Sequence, residues 1–139
     1  MCHTNNVTLR VDLRPGSSIF DQVVFAAKKA FISGELKPGQ EFPSVRALAA
    51  ELKIHPNTAH KVIQHLIHER LLEVRPGIGT FVAKSPPPAR RGDKQRLLQD
   101  EIERLVVEAK RVGAGLTEVL AAVEARWGEL ERPKKARQA

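Results

Sequence analysis

The stretch Leu36–Val82, LKPGQEFPSVRALAAELKIHPNTAHKVIQHLIHERLLEVRPGIGTFV, decides the fold. Lys37-Pro38-Gly39 reads as a turn, and Pro43-Ser44 prepares a helix start with Ser44 as a good N-cap. Val45, Leu48, Ala49 and Leu52 follow helical spacing. Lys53-Ile54-His55 is a short connection. Pro56 suits the first position of the next helix, where its fixed φ fits and its missing N–H costs nothing. Ala59, Val62, Ile63, Leu66 and Ile67 carry that helix to the region of Arg70. Leu71–Arg75 and Thr80–Ala83 are short apolar segments around Pro76-Gly77-Ile78-Gly79, which predicts a hairpin with positive φ at its glycines.

Two helices joined by a tight turn and followed by a hairpin make a winged helix-turn-helix. The element before them fits that plan. Ser18 caps a helix over 19–33, with Asp21 in its first turn and Gly34 at its end. Ile19, Val23, Ala26, Ala27, Ala30 and Phe31 mark its apolar side. Upstream, Val7, Leu9, Val11 and Leu13 alternate with polar residues, predicting a short strand or an extended arm that stops at Pro15-Gly16.

Downstream the composition changes. Ser85 to Gly92, SPPPARRG, reads as a stiff polyproline spacer. Beyond it Leu98, Ile102, Leu105, Ala109 and Val112 step by 4, 3, 4 and 3 residues, an a/d seam of about two heptads. Gly113-Ala114-Gly115 interrupts it, and Leu116, Val119, Leu120, Val123 and Trp127 form a second apolar stripe. The expected organisation is a winged helix-turn-helix domain over 7–84, a linker over 85–93, a helical dimerisation region over 94–131 and a basic tail over 132–139. The fold class is mostly α with a small β-wing. Two heptads are short for an independent coiled coil, so the two C-terminal helices are expected to complete a four-helix interface in a homodimer.

The bulk properties narrow the function. The chain has 139 residues and a net charge of +7, with a pI near 10.0. That balance suits a nucleic-acid binder, although ribosomal and membrane-surface proteins share it. The single Cys2 cannot form an intramolecular disulfide, as befits a reducing cytoplasm. No apolar run approaches the ~18 residues of a membrane span, and the first residues resemble neither a signal nor a transit peptide.

The helix that starts at Pro56 carries the informative chemistry. At ~100° per residue its apolar residues gather on one side, while Asn57, Lys61, Gln64, His65 and His68 fall opposite, with His60 at the edge. Amide, imidazole and ammonium groups suit base edges and phosphates. Asn or Gln pairs with adenine, and Lys with guanine or phosphate. No carboxylate appears on this face before Glu69. Arg46 stands near a helix N-terminus, where free amides can also meet a phosphate. Arg75, Gly77 and Gly79 place charge and close backbone approach at the hairpin tip, suited to a minor groove.

These residues resemble the N-terminal domain of the GntR family of bacterial transcription regulators. The matching pieces are Pro43-Ser44-Val45-Arg46, Leu48-Ala49, Asn57-Thr58 and Gly77-Ile78-Gly79-Thr80-Phe81-Val82. The short C-terminal part and Pro56-Asn57-Thr58 look like the YtrA subfamily. The resemblance implies a dimeric regulator, most often a repressor, on a palindromic double-stranded DNA operator. By position it implies contacts at Arg46, His55, Pro56, Asn57, His60, Lys61 and Gly77. The chain departs from the family pattern at several points. Lys53 and Arg70 stand where glycine is usual, His55 takes an N-cap position at which imidazole is a poor residue, His60 replaces a frequent arginine, and Ile78 a frequent basic residue. A lysine in a left-handed turn would cost on the order of 1 kcal/mol. His55 and His60 are the residues through which binding could respond to pH.

Rival readings rest on less. His60, His65 and His68 invite a metal site, but too few ligands accompany them, so no metal and no cofactor is expected. No Gly-rich phosphate loop or nucleophile–base pair points to an enzyme. An adaptor for other proteins has no need of a carboxylate-free basic face. A general nucleoid or RNA-binding role would use the same charge without sequence choice. A small-molecule effector would have no domain of its own and would have to use the dimer interface or an interdomain crevice.

Overall fold

The computed structural model describes residues 9–84 and 91–131. They fall into two compact units, one on each side of the 85–90 segment. Val7, most of the expected linker and the basic tail lie outside the described residues.

The first unit runs α1 (Ile19–Ser33), β1 (Glu41–Phe42), α2 (Val45–Leu52), α3 (Pro56–His68), β2 (Leu72–Arg75) and β3 (Gly79–Val82). Each helix starts on a side chain that accepts a free amide. Ser18 Oγ accepts from Asp21 N–H at 3.0 Å, and Ser44 Oγ from Ala47 N–H at 3.1 Å. Such caps satisfy donors that the first turn of a helix cannot pair internally. The helix ends are equally determined. Gly34 closes α1 at φ 86°. Lys53 closes α2 at φ 55°, ψ 50°, and Arg70 follows α3 at φ 61°. Lys53 thus meets the condition under which the sequence attaches a backbone cost to it.

The hairpin turns at Arg75-Pro76-Gly77-Ile78, with Ile78 N–H donating to Arg75 O at 2.9 Å. Proline at the second turn position and Gly77 at φ 78° match the demands of a type II turn. The antiparallel sheet has the order β1-β3-β2, with Glu41 and Glu73 both opposite Phe81. Strand β1 was not foreseen. Its two residues are too few to show a period, and only the Lys37–Gly39 turn brings them to the β3 edge, where Gly39 N–H meets Val82 O at 2.9 Å. The alternating residues upstream form an arm, not a strand. Residues 9–14 have no ladder partner, yet Leu9 is buried and Val11 packs on the core. Gln22 fixes the end of the arm with bonds to both Arg14 N–H and Arg14 O.

The core gathers Val23, Leu36, Leu48, Val62 and Leu66 at its centre. Phe42, Leu72 and Val82 cover it from the sheet. On α1 the inward residues are Val23, Val24, Ala27 and Ala30. Ile19, expected inside, is exposed, because the cap at Ser18 turns the first helical residue outward.

The second unit is a helical hairpin, α4 (Arg91–Arg111) and α5 (Leu116–Glu131). Helix α4 begins three residues before the boundary expected at 94. Gly113, at φ 81°, ends it in a Schellman arrangement. Its own N–H meets Lys110 O at 3.2 Å, and Ala114 N–H meets Ala109 O at 2.9 Å. Gly115 N–H donates to Glu118 Oε1 at 3.2 Å at the start of α5. Nowhere among residues 92–131 is a side chain buried.

Candidate nucleic-acid interface

Helix α3 is amphipathic in the sense its sequence predicts. Ala59, Val62, Ile63 and Leu66 are buried, and Ile67 packs at the margin of the core. Asn57, His60, Lys61, Gln64 and His68 are exposed on the other side. His60, expected at the edge of that face, is exposed too. Thr58 is half-buried, which leaves it a supporting position.

Two histidines depart from expectation. His65, assigned to the open face, turns toward α1. Its ring meets Phe20 edge-on at 5.4 Å, and its Nε2 lies 3.4 Å from Glu69 Oε2. Lys28 Nζ reaches the other oxygen of Glu69 at 3.0 Å. This cluster ties α1 to the far end of α3 and draws His65 away from the open face. His55, in contrast, caps α3 after all. Its Nδ1 accepts from Asn57 N–H at 3.0 Å. While Nδ1 accepts, Nε2 is the ring nitrogen left to donate. The sequence concealed this because imidazole ranks low among capping groups, although its unprotonated nitrogen is a sound acceptor.

Arg46 is exposed in the first turn of α2 and has no hydrogen bond or ion pair among the described residues. At the wing, Arg75 lies over the Phe81 ring, 4.2 Å from its centre, a cation–π contact that fixes the guanidinium plane. Gly77 sits at the tip with open space around it. Gly79 is half-buried, and a Cβ there would be in ordinary contact with Glu41 Oε2 at 3.4 Å. The register places Glu41 and Glu73 beside Phe81 on the same sheet face as Arg75. Those carboxylates dilute the positive charge of the wing. The unforeseen β1 is why Glu41 escaped notice.

The dimerisation residues form an apolar surface on the hairpin. Leu98, Ile102, Leu105, Val112, Leu120, Val123 and Trp127 are all exposed, Trp127 at 67%. Leu105, Ala109, Val112, Val119, Val123 and Trp127 line an open groove between α4 and α5. Trp127 Nε1–H is held by Glu131 Oε2 at 3.1 Å. Near the end of α4, a hydrogen bond and charge from Arg111 hold the Glu108 carboxyl below its ordinary range. No group of three or more metal-ligating side chains occurs among the described residues.

Residues 21–82 match the sequence profile of "Bacterial regulatory proteins, gntR family". That interval spans the caps, the helix-turn-helix and the wing just described. The chain therefore carries a GntR-family domain over residues 21–82. Its similarity to YtrA-like members extends past this domain. The HTH-type transcriptional repressor YtrA of Bacillus subtilis (strain 168) is 28% identical over 78% of this chain and 83% of its own length. A solved structure, YtrA from Sulfolobus acidocaldarius, a GntR-family transcription factor, is 25% identical, with a TM-score of 0.50 over 86% of this chain and 97% of that one. A transcriptional antiterminator from Listeria monocytogenes EGD-e shares the fold, with a TM-score of 0.76 at 20% identity over 89% of this chain and 94% of that one. The GntR assignment makes this a DNA-binding transcription regulator with a winged helix-turn-helix.

Proposed function

We propose that the protein is a sequence-specific repressor that binds a palindromic operator as a homodimer. The observation that carries this reading is the open face of α3. Asn57, His60, Lys61 and Gln64 stand there on a rigidly capped helix, with no carboxylate between Glu51 and Glu69. Helix α3 enters the major groove. Asn57 and Gln64 read base edges, Lys61 meets a guanine or a phosphate, and His60 donates from its ring. Arg46 reaches a phosphate or base from the start of α2, and His55 and Pro56 lie against the backbone at the start of α3. The tip at Gly77 approaches the flanking minor groove, with Arg75 beside it.

The second unit supplies the symmetry. A hairpin that buries none of its apolar side chains gains little stability alone, and pairing with a second copy covers Leu98, Ile102, Leu105, Ala109, Val112, Leu120, Val123 and Trp127 in a four-helix interface. A C2 dimer then presents two α3 helices to half-sites about one helical turn apart. The domain limits of 7–84 and 94–131 belong to this reading, with the helix boundary moved to Arg91. Such a regulator works in the cytoplasm without catalysis or cofactor, and an effector would act through the hairpin interface.

Selection of bound duplexes from a random pool by the full chain tests the proposal. An enriched inverted repeat is expected. Enrichment of nothing would favour a protein adaptor or a non-specific binder of nucleic acid and overturn the sequence-specific reading.

A further inference from the structure

Four helices of this chain, α1, α2, α3 and α4, are followed by a residue in the left-handed conformation. After α1 and α4 that residue is Gly34 and Gly113; after α2 and α3 it is Lys53 and Arg70. A Cβ is unfavourable in this conformation, so glycine is the unstrained choice. The helix-turn-helix thus carries two basic residues at positions where its own stability is better served without them.

Local structure imposes the strain on Lys53. Ala49 O accepts from Lys53 N–H and also from Ile54 N–H at 3.0 Å. Ile54 is buried at 9% exposure, which anchors the turn. The lysine cannot relax without drawing Ile54 from the core. Its side chain is exposed and has no ion pair or hydrogen bond among the described residues. Nothing inside the protein offsets the backbone cost. Observed strain at a functional element is a reason to look outside the molecule for the compensation.

Position indicates what lies outside. Lys53 is three residues before Pro56, and Lys53, His55, Pro56, Asn57, His60 and Lys61 are all exposed around the start of α3. A flexible ammonium beside the positive end of that helix favours an anion. Arg70 lies at the other end of α3, roughly 20 Å away for a helix of 13 residues.

We propose that Lys53 is a phosphate-contacting residue, present in a left-handed turn at the expense of folding stability because its ammonium grips the DNA backbone beside the start of α3. This rests on the DNA-binding reading above and adds to it a residue that neither the helix face nor the resemblance supplies. Arg70, under the same strain at the far end, is the natural control.

The test compares the full-length wild type, Lys53→Gly and Arg70→Gly by thermal unfolding and by fluorescence anisotropy against a labelled mixed-sequence duplex over a range of salt. Both variants should melt higher than the wild type. Lys53→Gly should bind about eight-fold more weakly at 0.1 M monovalent salt, and its slope of log affinity against log salt should shrink by about one, as expected for one lost phosphate contact. Arg70→Gly should keep the wild-type slope. Wild-type binding with an unchanged slope in Lys53→Gly would overturn this proposal and leave the DNA reading intact. Equal losses in both variants would also overturn it, since net charge would then explain the effect. A lower melting temperature for Lys53→Gly would remove its premise, and no DNA binding by the wild type would overturn both readings.

Discussion

Replacing His55 by alanine isolates a contact that both folding and recognition use. The side chain contributes one hydrogen bond, from Asn57 N–H to Nδ1 at 3.0 Å. Loss of an N-cap costs about 0.5–2 kcal/mol. Both partners are exposed, so water replaces the acceptor and the cost falls in the lower part of that range, about 0.5–1 kcal/mol. For a unit of this size each kcal/mol moves the melting temperature by about 4–8 °C. His55→Ala should therefore melt about 2–8 °C below the wild type, followed by far-UV circular dichroism. Asparagine caps well through its side-chain oxygen, so His55→Asn should recover most of the loss. The fraying turn carries Asn57, and operator affinity should fall with stability in the alanine variant. A melting temperature for His55→Ala equal to wild type would refute the capping argument. So would a failure of His55→Asn to recover stability, because the ring would then act by something other than its acceptor nitrogen.

Three further outcomes follow from the same geometry. Arg46→Ala, measured by titration against a selected operator at fixed salt, should cost about 1–3 kcal/mol of binding if the guanidinium reads a base, with the melting temperature unchanged. Leu105→Arg places a charge in the apolar groove of the hairpin and should convert the proposed dimer to monomer in sedimentation velocity, with loss of operator binding; a variant still dimeric and still bound would show the seam to be misassigned. Arg111→Gln should abolish the acid sensitivity of the α4 terminus. The Glu108 carboxyl is held below its ordinary range, so its small contribution is complete above that range and disappears as pH falls through the lowered value. Helicity followed by circular dichroism on acidification should show this loss in the wild type and not in the variant.

Much of the fold was legible because each local signal agreed with the next. Ser18 and Ser44 announce helix starts, Pro56 sits where only a first turn tolerates it, and Pro76-Gly77 demands its turn. Hydrophobic spacing then separates the two faces of α3. The readings that stayed open or failed depended on tertiary partners. Alternation over Leu9 to Leu13 has the period of a strand, but a strand also needs a neighbour, and the sheet edge is taken by Glu41–Phe42. Those two residues carry no period at all. His65 follows the open face by angle, and only the presence of Phe20 and Glu69 turns it inward. His55 was misjudged because average capping preference says little about one ring whose Nδ1 happens to meet an amide. On the hairpin, the apolar stripe was plain in sequence, while the exposure of most of it within one chain required the structure.

The central claim is that the open face of α3 reads base pairs. It is tested most directly by repeating the random-pool selection with Gln64→Ala beside the wild type. Gln64 is exposed and supports no other part of the fold, so its removal leaves the reading helix in place. The account predicts that the wild type enriches an inverted repeat with half-sites about one helical turn apart, and that the variant loses preference at one symmetric pair of positions while the rest of the motif persists. A motif identical to the wild type, merely bound more weakly at every position, would contradict it.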